Sequence, residues 1–143
     1  MTLVKMSDTH PTNHDLRNIK VLVVDDDPII RKFLEMTLND LHVHSIRSCA
    51  DGFSALKAMA GYAPSVILTD IHMKPINGFE FVRRLRADIN PFRRDIPVIF
   101  LSSDSSPETL KGALPLHASG YIVKPPCAET LRAKLVQAMH PHK

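Results

Sequence analysis

Short, almost continuous apolar segments recur along this chain, and most of them stop abruptly at a polar side chain. Segments this short and this apolar are typical of parallel strands buried on both faces, whereas a half-exposed strand alternates apolar and polar residues. A strand buried on both faces needs other elements to cover both sides of its sheet. We therefore predict strands at residues 19–24, 43–47, 65–69, 97–101 and 121–123.

The segments between these strands have the spacing of helices. Asp27 can cap a helix whose first residue is Pro28, a favoured position because the N–H that proline lacks is not needed there. Apolar residues then recur at helical intervals. Further helices are predicted at residues 51–60, 78–87, 107–117 and 128–139. Alternating strands and helices indicate βαβ units with right-handed crossovers, so the sequence predicts an open α/β fold with a parallel sheet.

The composition fits a single domain. The chain has 143 residues, of which 44% are hydrophobic and 23% charged, enough to build one core. Residues 1–18 are polar and aperiodic, which predicts a flexible N-terminal tail before a domain at 19–140. No apolar run is long enough to cross a bilayer, and no signal peptide is recognisable. We expect a cytoplasmic protein without membrane contact, and the net charge of +3 does not indicate direct nucleic-acid binding.

Just beyond the carboxyl ends of the predicted strands stand Asp25, Asp26, Asp70, Ser102 and Lys124. Any one of them alone is explained as a turn residue or a helix cap. Open α/β sheets bind ligands outside the carboxyl ends of their strands, so this fold would collect all of them at one edge. Three crowded carboxylates repel one another unless a cation neutralises them, and Mg²⁺ is a hard cation that prefers oxygen ligands. A lysine and a hydroxyl beside them suit a phosphoryl group that a carboxylate attacks.

The segments VLVVDDDP, VILTDIHMKPINGFE, PVIFLSS and GYIVKPP resemble those of receiver domains in two-component response regulators, including chemotaxis regulators. The resemblance covers residues 19–139, nearly the whole predicted domain. It implies a flavodoxin-like, doubly wound fold, with helices on both faces of a five-stranded parallel sheet ordered 2-1-3-4-5.

The resemblance also assigns roles to the strand-end residues. Asp70 is the expected phosphoacceptor for a sensor histidine kinase or a histidine phosphotransfer protein. Asp25 and Asp26 are expected to hold Mg²⁺ together with Asp70 and the backbone carbonyl of His72. Lys124 is expected to contact the phosphoryl oxygens.

A second set of residues is expected to respond to phosphorylation or to tune it. Ser102 corresponds to the switch hydroxyl, and Tyr121 to the aromatic side chain whose rotamer follows it. His72 and Asp104 flank the phosphoryl group in the family, and we hypothesise that they pair across the mouth of the site and slow attack by water. The alternative is that both are ordinary exposed loop residues. The resemblance further implies a cis peptide bond between Lys124 and Pro125.

Two features depart from the family pattern. Lys74 separates a methionine and a proline that are adjacent in most members. We expect it to face solvent, and extra positive charge for an incoming phosphate is the alternative. Pro115 lies within the predicted helix at 107–117, where it removes a backbone hydrogen bond, so that helix is expected to be short, kinked or partly unwound.

Two other groups of residues have ordinary explanations. His42 and His44 lack a third ligand and do not indicate a metal site. A solvated helix face and loop account for the basic residues, although a docking surface for an acidic partner is the alternative. These basic residues are Arg83, Arg84, Arg86, Arg93 and Arg94.

These observations predict a signalling domain rather than an enzyme, with only weak self-phosphorylation and autodephosphorylation. Its output would be a changed surface that binds a downstream protein, and a phosphorylation-dependent homodimer is a further interpretation. The chain ends soon after the last helix, as expected of a stand-alone receiver, and a fragment of a larger regulator or hybrid kinase is the alternative that would look the same. A phosphohydrolase of the haloacid-dehalogenase type is disfavoured because His72 occupies the position of its second aspartate. A receiver that has lost its chemistry is disfavoured because every site residue is retained.

Overall fold

A five-stranded parallel sheet forms the centre of the protein, as a computed structural model describes it for residues 15–140. The strands have the order β2-β1-β3-β4-β5, which confirms the predicted doubly wound topology. Their bounds are Lys20–Val24 for β1, Ser45–Cys49 for β2, Val66–Asp70 for β3, Val98–Ser102 for β4 and Gly120–Val123 for β5. Every residue of β3 and β4 is buried, as their continuous apolar sequences predict.

The second strand begins two residues later than predicted, at Ser45 rather than residue 43. The preceding helix ends in a turn in which His42 adopts a left-handed conformation with φ of 68°. Val43 is buried there, and its N–H donates to the carbonyl of Leu38 at 3.0 Å. The apolar Val43 therefore closes the end of the helix and does not belong to the sheet.

Six α-helices connect and follow the strands between residues 15 and 140. They are α1 at Pro28–Asp40, α2 at Gly52–Ala58, α3 at Gly78–Arg86, α4 at Pro91–Arg94, α5 at Pro107–Ala113 and α6 at Ala128–Met139. The side chains of Asp27, Asp51, Asn77 and Ser106 cap α1, α2, α3 and α5. The predicted helix at 107–117 is short, since α5 gives way to a 3₁₀ turn at Leu114–Leu116 that contains Pro115. The four-residue α4 was not predicted.

Apolar side chains pack on both faces of the sheet. One core contains Leu22 and Val24 of β1 and is covered by α2, α3 and α5, and the other contains Val21 and Val23 and is covered by α1 and α6. Leu16 is only 3% exposed and packs into the second core, although it lies within the predicted tail. Residues 1–14 of that tail lie outside the described residues. Within 15–140, no helix has both the length and the apolar character to cross a membrane.

Gly78 closes the loop that follows Asp70. Its N–H donates to the carbonyl of Ile71 at 2.7 Å, which brings the start of α3 back against the end of β3. A Cβ atom at this position would lie 2.1 Å from the backbone oxygen of Asp70 and 2.9 Å from the Cα atom of Ile71. Backbone atoms cannot rotate away as a flexible side chain can, so this close approach requires glycine.

We predict that Gly78→Ala lowers the free energy of unfolding by about 1–3 kcal/mol, because the methyl group forces the loop away from β3. Gly61→Ala is the matched control, since a Cβ atom there meets nothing within 4 Å. It should change the stability by less than about 1 kcal/mol. Urea denaturation followed by circular dichroism measures both variants, and equal effects would contradict the prediction.

Candidate functional site

The carboxylates of Asp25, Asp26 and Asp70 meet at the carboxyl edge of the sheet. Strands β1 and β3 are neighbours with Val24 opposite Thr69, so the residues that follow, Asp25 and Asp70, lie side by side. One carboxylate oxygen from each of the three aspartates lies within 4.8 Å of the other two. Asp25 and Asp70 are buried and Asp26 is exposed. This cluster could hold a metal ion, and it contains the three aspartates that the sequence predicted as ligands.

Lys124 places its ammonium between the two buried carboxylates. Its Nζ atom lies 2.8 Å from Oδ2 of Asp25 and 3.3 Å from Oδ1 of Asp70. Burial opposes the charged form of Lys124, but the hydrogen bond to Asp25 and the charges of both aspartates outweigh burial and raise its pKa. The ammonium is therefore a permanent positive charge next to the expected phosphoacceptor. The Lys124–Pro125 peptide bond is cis, which confirms the expectation from the family resemblance.

Asp70 is held in an environment that disfavours its ionised form. Burial is the largest cause of its raised pKa, and the negative charge of Asp25 is the second. Lys124 acts in the opposite direction but does not cancel these two effects. A cation added beside Asp25 and Asp70 would relieve this repulsion, so the electrostatics of the site favour cation binding.

Arg31 is a site residue that the sequence analysis missed. Its Nη1 atom donates to the backbone carbonyl of Asp25 at 2.7 Å, while the N–H of Asp27 donates to Oδ1 of Asp25 at 2.9 Å. These two bonds fix the loop between β1 and α1, and with it the direction of the Asp25 side chain. No motif marks an arginine that binds a carbonyl group, so the sequence alone gave no signal for it.

Ser102 is fully buried at the end of β4, and its Oγ atom accepts a hydrogen bond from the N–H of Asp104 at 3.0 Å. The carboxylate of Asp104 accepts from the N–H of Ser106 at 2.9 Å and from the hydroxyl of Thr109 at 2.8 Å. These hydrogen bonds, with a smaller contribution from the charge of His72, lower the pKa of Asp104. The hydroxyl of Tyr121 donates to the backbone carbonyl of Asp104. Asp104 thus connects the end of β4 to α5 and to β5.

His72 is exposed in the loop that follows β3. Its Nε2 atom is 3.7 Å from Oδ2 of Asp104, a distance that allows an ion pair but not a direct hydrogen bond. The structure therefore places His72 and Asp104 next to each other, as the hypothesis of a pair across the mouth requires. Their effect on the phosphoryl group stays a prediction.

The basic residues near α3 divide into two groups. Arg83 and Arg84 are exposed and pair with Glu80, in agreement with a solvated helix face. The assignment of Arg86 to that face is wrong. Its guanidinium is partly buried and donates to three backbone carbonyls at 2.7–2.9 Å. These carbonyls belong to Arg94, Ile96 and Leu116. Lys74 faces solvent, as expected.

The raised pKa of Asp70 leads to a prediction for the metal-free protein. A group with a raised folded-state pKa favours folding at low pH, and that contribution is lost as pH rises through the folded-state value. In the presence of a chelator, Asp70→Asn should therefore raise the free energy of unfolding more at pH 7 than at pH 3.5. Denaturation curves at both pH values measure the difference, and a stabilisation that is independent of pH would contradict the assigned cause.

Comparison with known proteins agrees with this geometry. The family model of the response regulator receiver domain matches residues 21–136. Chemotaxis protein CheY-3 of Vibrio cholerae is 30% identical over 119 residues, covering 83% of this chain and 90% of that protein. A gliding motility regulatory protein of Myxococcus xanthus is 38% identical over 108 residues, covering 76% of this chain and 14% of that protein. The solved structure of chemotaxis protein CheY4 of Vibrio cholerae has a TM-score of 0.77 at 33% identity, covering 84% of this chain and 98% of that one.

The sequence match, the strand order and the acidic cluster at the sheet edge thus lead to one assignment. The chain belongs to the family of response regulator receiver domains.

Proposed function

We propose that this protein is the phosphoacceptor of a two-component phosphorelay, in which Asp70 receives a phosphoryl group from a sensor histidine kinase or a histidine phosphotransfer protein. The position of Asp70 carries the proposal, because its carboxylate lies beside the Lys124 ammonium and within 4.8 Å of the carboxylates of Asp25 and Asp26. An Asp70 oxygen would form the new P–O bond while the P–N bond of the donor phosphohistidine breaks. Receiver domains in general are signalling domains rather than enzymes, and the expected self-catalysis here is weak.

Mg²⁺ is the proposed cofactor. Asp25, Asp26, Asp70 and the backbone carbonyl of His72 would hold it, and all of these groups offer the oxygen ligands that it prefers. When bound, Mg²⁺ supplies positive charge that neutralises phosphoryl oxygens. The raised pKa of Asp70 supports this assignment, since the carboxylates are buried beside each other with a single ammonium between them.

The ammonium of Lys124 would bind an oxygen of a phosphoryl group on Asp70. In the present arrangement Lys124 is shared by Asp25 and Asp70. A phosphoryl group on Asp70 adds oxygens that compete for this ammonium, and the interaction would be strengthened by the low dielectric of a partly buried site.

Ser102 would couple phosphorylation of Asp70 to a change at the surface that binds the downstream partner. Its hydroxyl accepts the N–H of Asp104, and the carbonyl of Asp104 accepts the hydroxyl of Tyr121. A movement of Ser102 towards a phosphoryl oxygen would therefore displace Asp104 and release or redirect Tyr121. Such a change alters the relative stability of two conformations of the partner-binding surface, and a switch requires such a difference.

The output face is proposed to lie on α5, the 3₁₀ turn and β5. Exposed apolar residues on these elements would bind a downstream protein target or, after phosphorylation, a second copy of the chain. They are Leu110, Leu114 and Val123. We propose that this exchange takes place in the cytoplasm, without direct contact with nucleic acid or membrane.

The protein donor is proposed to dock on α1. Three apolar side chains are exposed on this helix, at intervals that place them along one side of it. They are Ile29 at 76%, Phe33 at 43% and Met36 at 58% exposure. Because α1 begins directly after the acidic residues that end β1, a partner helix on this side would bring its phosphohistidine to Asp70.

Incubation with acetyl phosphate and Mg²⁺ tests the acceptor. We predict that the intact mass of the wild-type protein increases by one phosphoryl group and that Asp70→Asn shows no increase, because its amide is not a nucleophile. Asp40→Asn, a change at an exposed aspartate of α1, should behave as wild type. A chelator should abolish the increase. A mass increase of one phosphoryl group in Asp70→Asn would contradict the proposal that Asp70 is the acceptor.

The adjacent His72 and Asp104 generate a prediction for the lifetime of the phosphoryl group. Loss of the imidazole opens the entrance to water, so His72→Ala should shorten the lifetime several-fold after the donor is removed. The control is Lys74→Ala, an exposed position in the same loop, which should leave the lifetime unchanged. Mass spectrometry at successive times measures both, and an unchanged lifetime in His72→Ala would overturn the hypothesis.

A further inference from the structure

A cleft opens at the amino-terminal edge of the sheet, the edge opposite Asp70. Its volume is about 630 Å³, and its walls are formed by the first residue of β1 and by the segments that precede β3 and β4. Lys20, Tyr62, Phe92 and Arg93 supply its cationic and aromatic side chains, and smaller residues complete the lining. Lys20 begins β1 and Val24 ends it, so the cleft is separated from the phosphorylation site by the length of a strand, about 17 Å.

The charge of the cleft is positive. Its lining includes Lys20 and Arg93 and no carboxylate. The Nζ atom of Lys20 and the guanidinium of Arg47 each lie 5.0 Å from the ring centroid of Tyr62. Within the described part of the chain, neither Lys20 nor Arg47 forms an ion pair with an acidic side chain. Arg93 is partly compensated by Asp88, whose Oδ2 atom lies 3.8 Å from its Nη1 atom.

Phe92 lines the cleft, and Ile89 lies three residues before it in the same short segment. Ile89 is 93% exposed and Phe92 is 85% exposed. Isolated exposed apolar residues need no explanation, but these two belong to one short segment at a positively charged recess and are the most exposed large apolar side chains among residues 15–140. An aromatic residue at the border of a recess is a frequent anchor of protein–protein contacts.

The segment that carries these residues is held in a defined conformation. Asn90 caps α4 by accepting the N–H of Phe92 at 2.9 Å. Arg86 holds the other end of the segment by donating to the carbonyls of Arg94 and Ile96 at 2.9 and 2.7 Å. Phe92 is therefore presented by an ordered backbone, so a ligand would bear little of the entropy cost of ordering the segment.

We propose that this amino-terminal cleft, lined by Lys20, Tyr62, Phe92 and Arg93, is a docking site for an acidic segment of a partner protein. The segment would place an aliphatic or aromatic side chain against Phe92 and Ile89. Its aspartate or glutamate residues would pair with Lys20 and Arg47. Because the cleft faces away from Asp70, the partner can stay bound while the phosphodonor occupies the other edge of the sheet. The inference is independent of the chemistry proposed for Asp70.

Selection from a display library of random peptides, each of about twelve residues, on the full chain tests the proposal. We expect the enriched peptides to carry aspartate or glutamate next to an aliphatic or aromatic residue. Fluorescence anisotropy of a labelled enriched peptide should give a Kd that is at least about tenfold higher for Lys20→Glu and for Phe92→Ser. The affinity should also fall with added salt, because charges contribute to the contact.

Matched controls separate the cleft from general effects of charge and apolar surface. Lys32→Glu changes an exposed lysine on α1, and Phe53→Ser removes an exposed phenylalanine on α2. Both should change the Kd by less than about twofold. The two cleft variants and the two controls should all be labelled by acetyl phosphate to the same extent as wild type. Failure of the docking proposal is therefore distinguishable from failure of the proposal that Asp70 is phosphorylated.

Three results would overturn the proposal. The first is enrichment of peptides without acidic residues, or of none at all. The second is binding that is unaffected by Lys20→Glu and Phe92→Ser. The third is binding of the chain to phosphatidylserine vesicles that depends on Lys20, without binding to acidic peptides, which would assign the cleft to a membrane surface instead.

Discussion

The ion-pair contacts of Lys124 with Asp25 and Asp70 allow two carboxylates to be buried side by side at one edge of the sheet. Without this ammonium, both the loss of hydration and the mutual repulsion of the acids would oppose folding. The parallel topology makes the contact possible. Asp25 follows β1 and Asp70 ends the neighbouring strand β3. Lys124 follows β5, two positions from β3, so its long side chain has to span the end of β4. Ser102 is the residue at that end.

The same arrangement leaves the site with more negative than positive charge. One ammonium contacts both buried carboxylates, and burial together with the charge of Asp25 still raises the pKa of Asp70. Functional sites commonly retain such unfavourable features because the surrounding fold is stable enough to maintain them. Here the two fully buried strands β3 and β4 supply that stability directly beside the site.

The sheet could be predicted because continuous apolar strands imply a parallel sheet. The strand-end residues could be predicted because the carboxyl ends of parallel strands lie at the same edge of the sheet. The helix at Ala128–Met139 has the predicted bounds because its apolar stripe is regular. The predicted start of the edge strand β2 is two residues too early. The apolar residue Val43 is buried at the end of the preceding helix and does not belong to the sheet. Arg31 was missed and Arg86 was wrongly assigned because both side chains bind backbone carbonyl groups, and no sequence pattern marks such contacts.

The loop closed by Gly78 also constrains how this chain can differ from its relatives. With the Gly78 N–H bonded to the Ile71 carbonyl and the two backbones in contact, the segment between them has a fixed length. An added residue would have to bulge outward over Asp70, whereas an exchanged side chain such as Lys74 extends into solvent. A replaced side chain next to Asp70 can therefore leave this backbone in place, whereas an insertion or deletion in the same loop cannot.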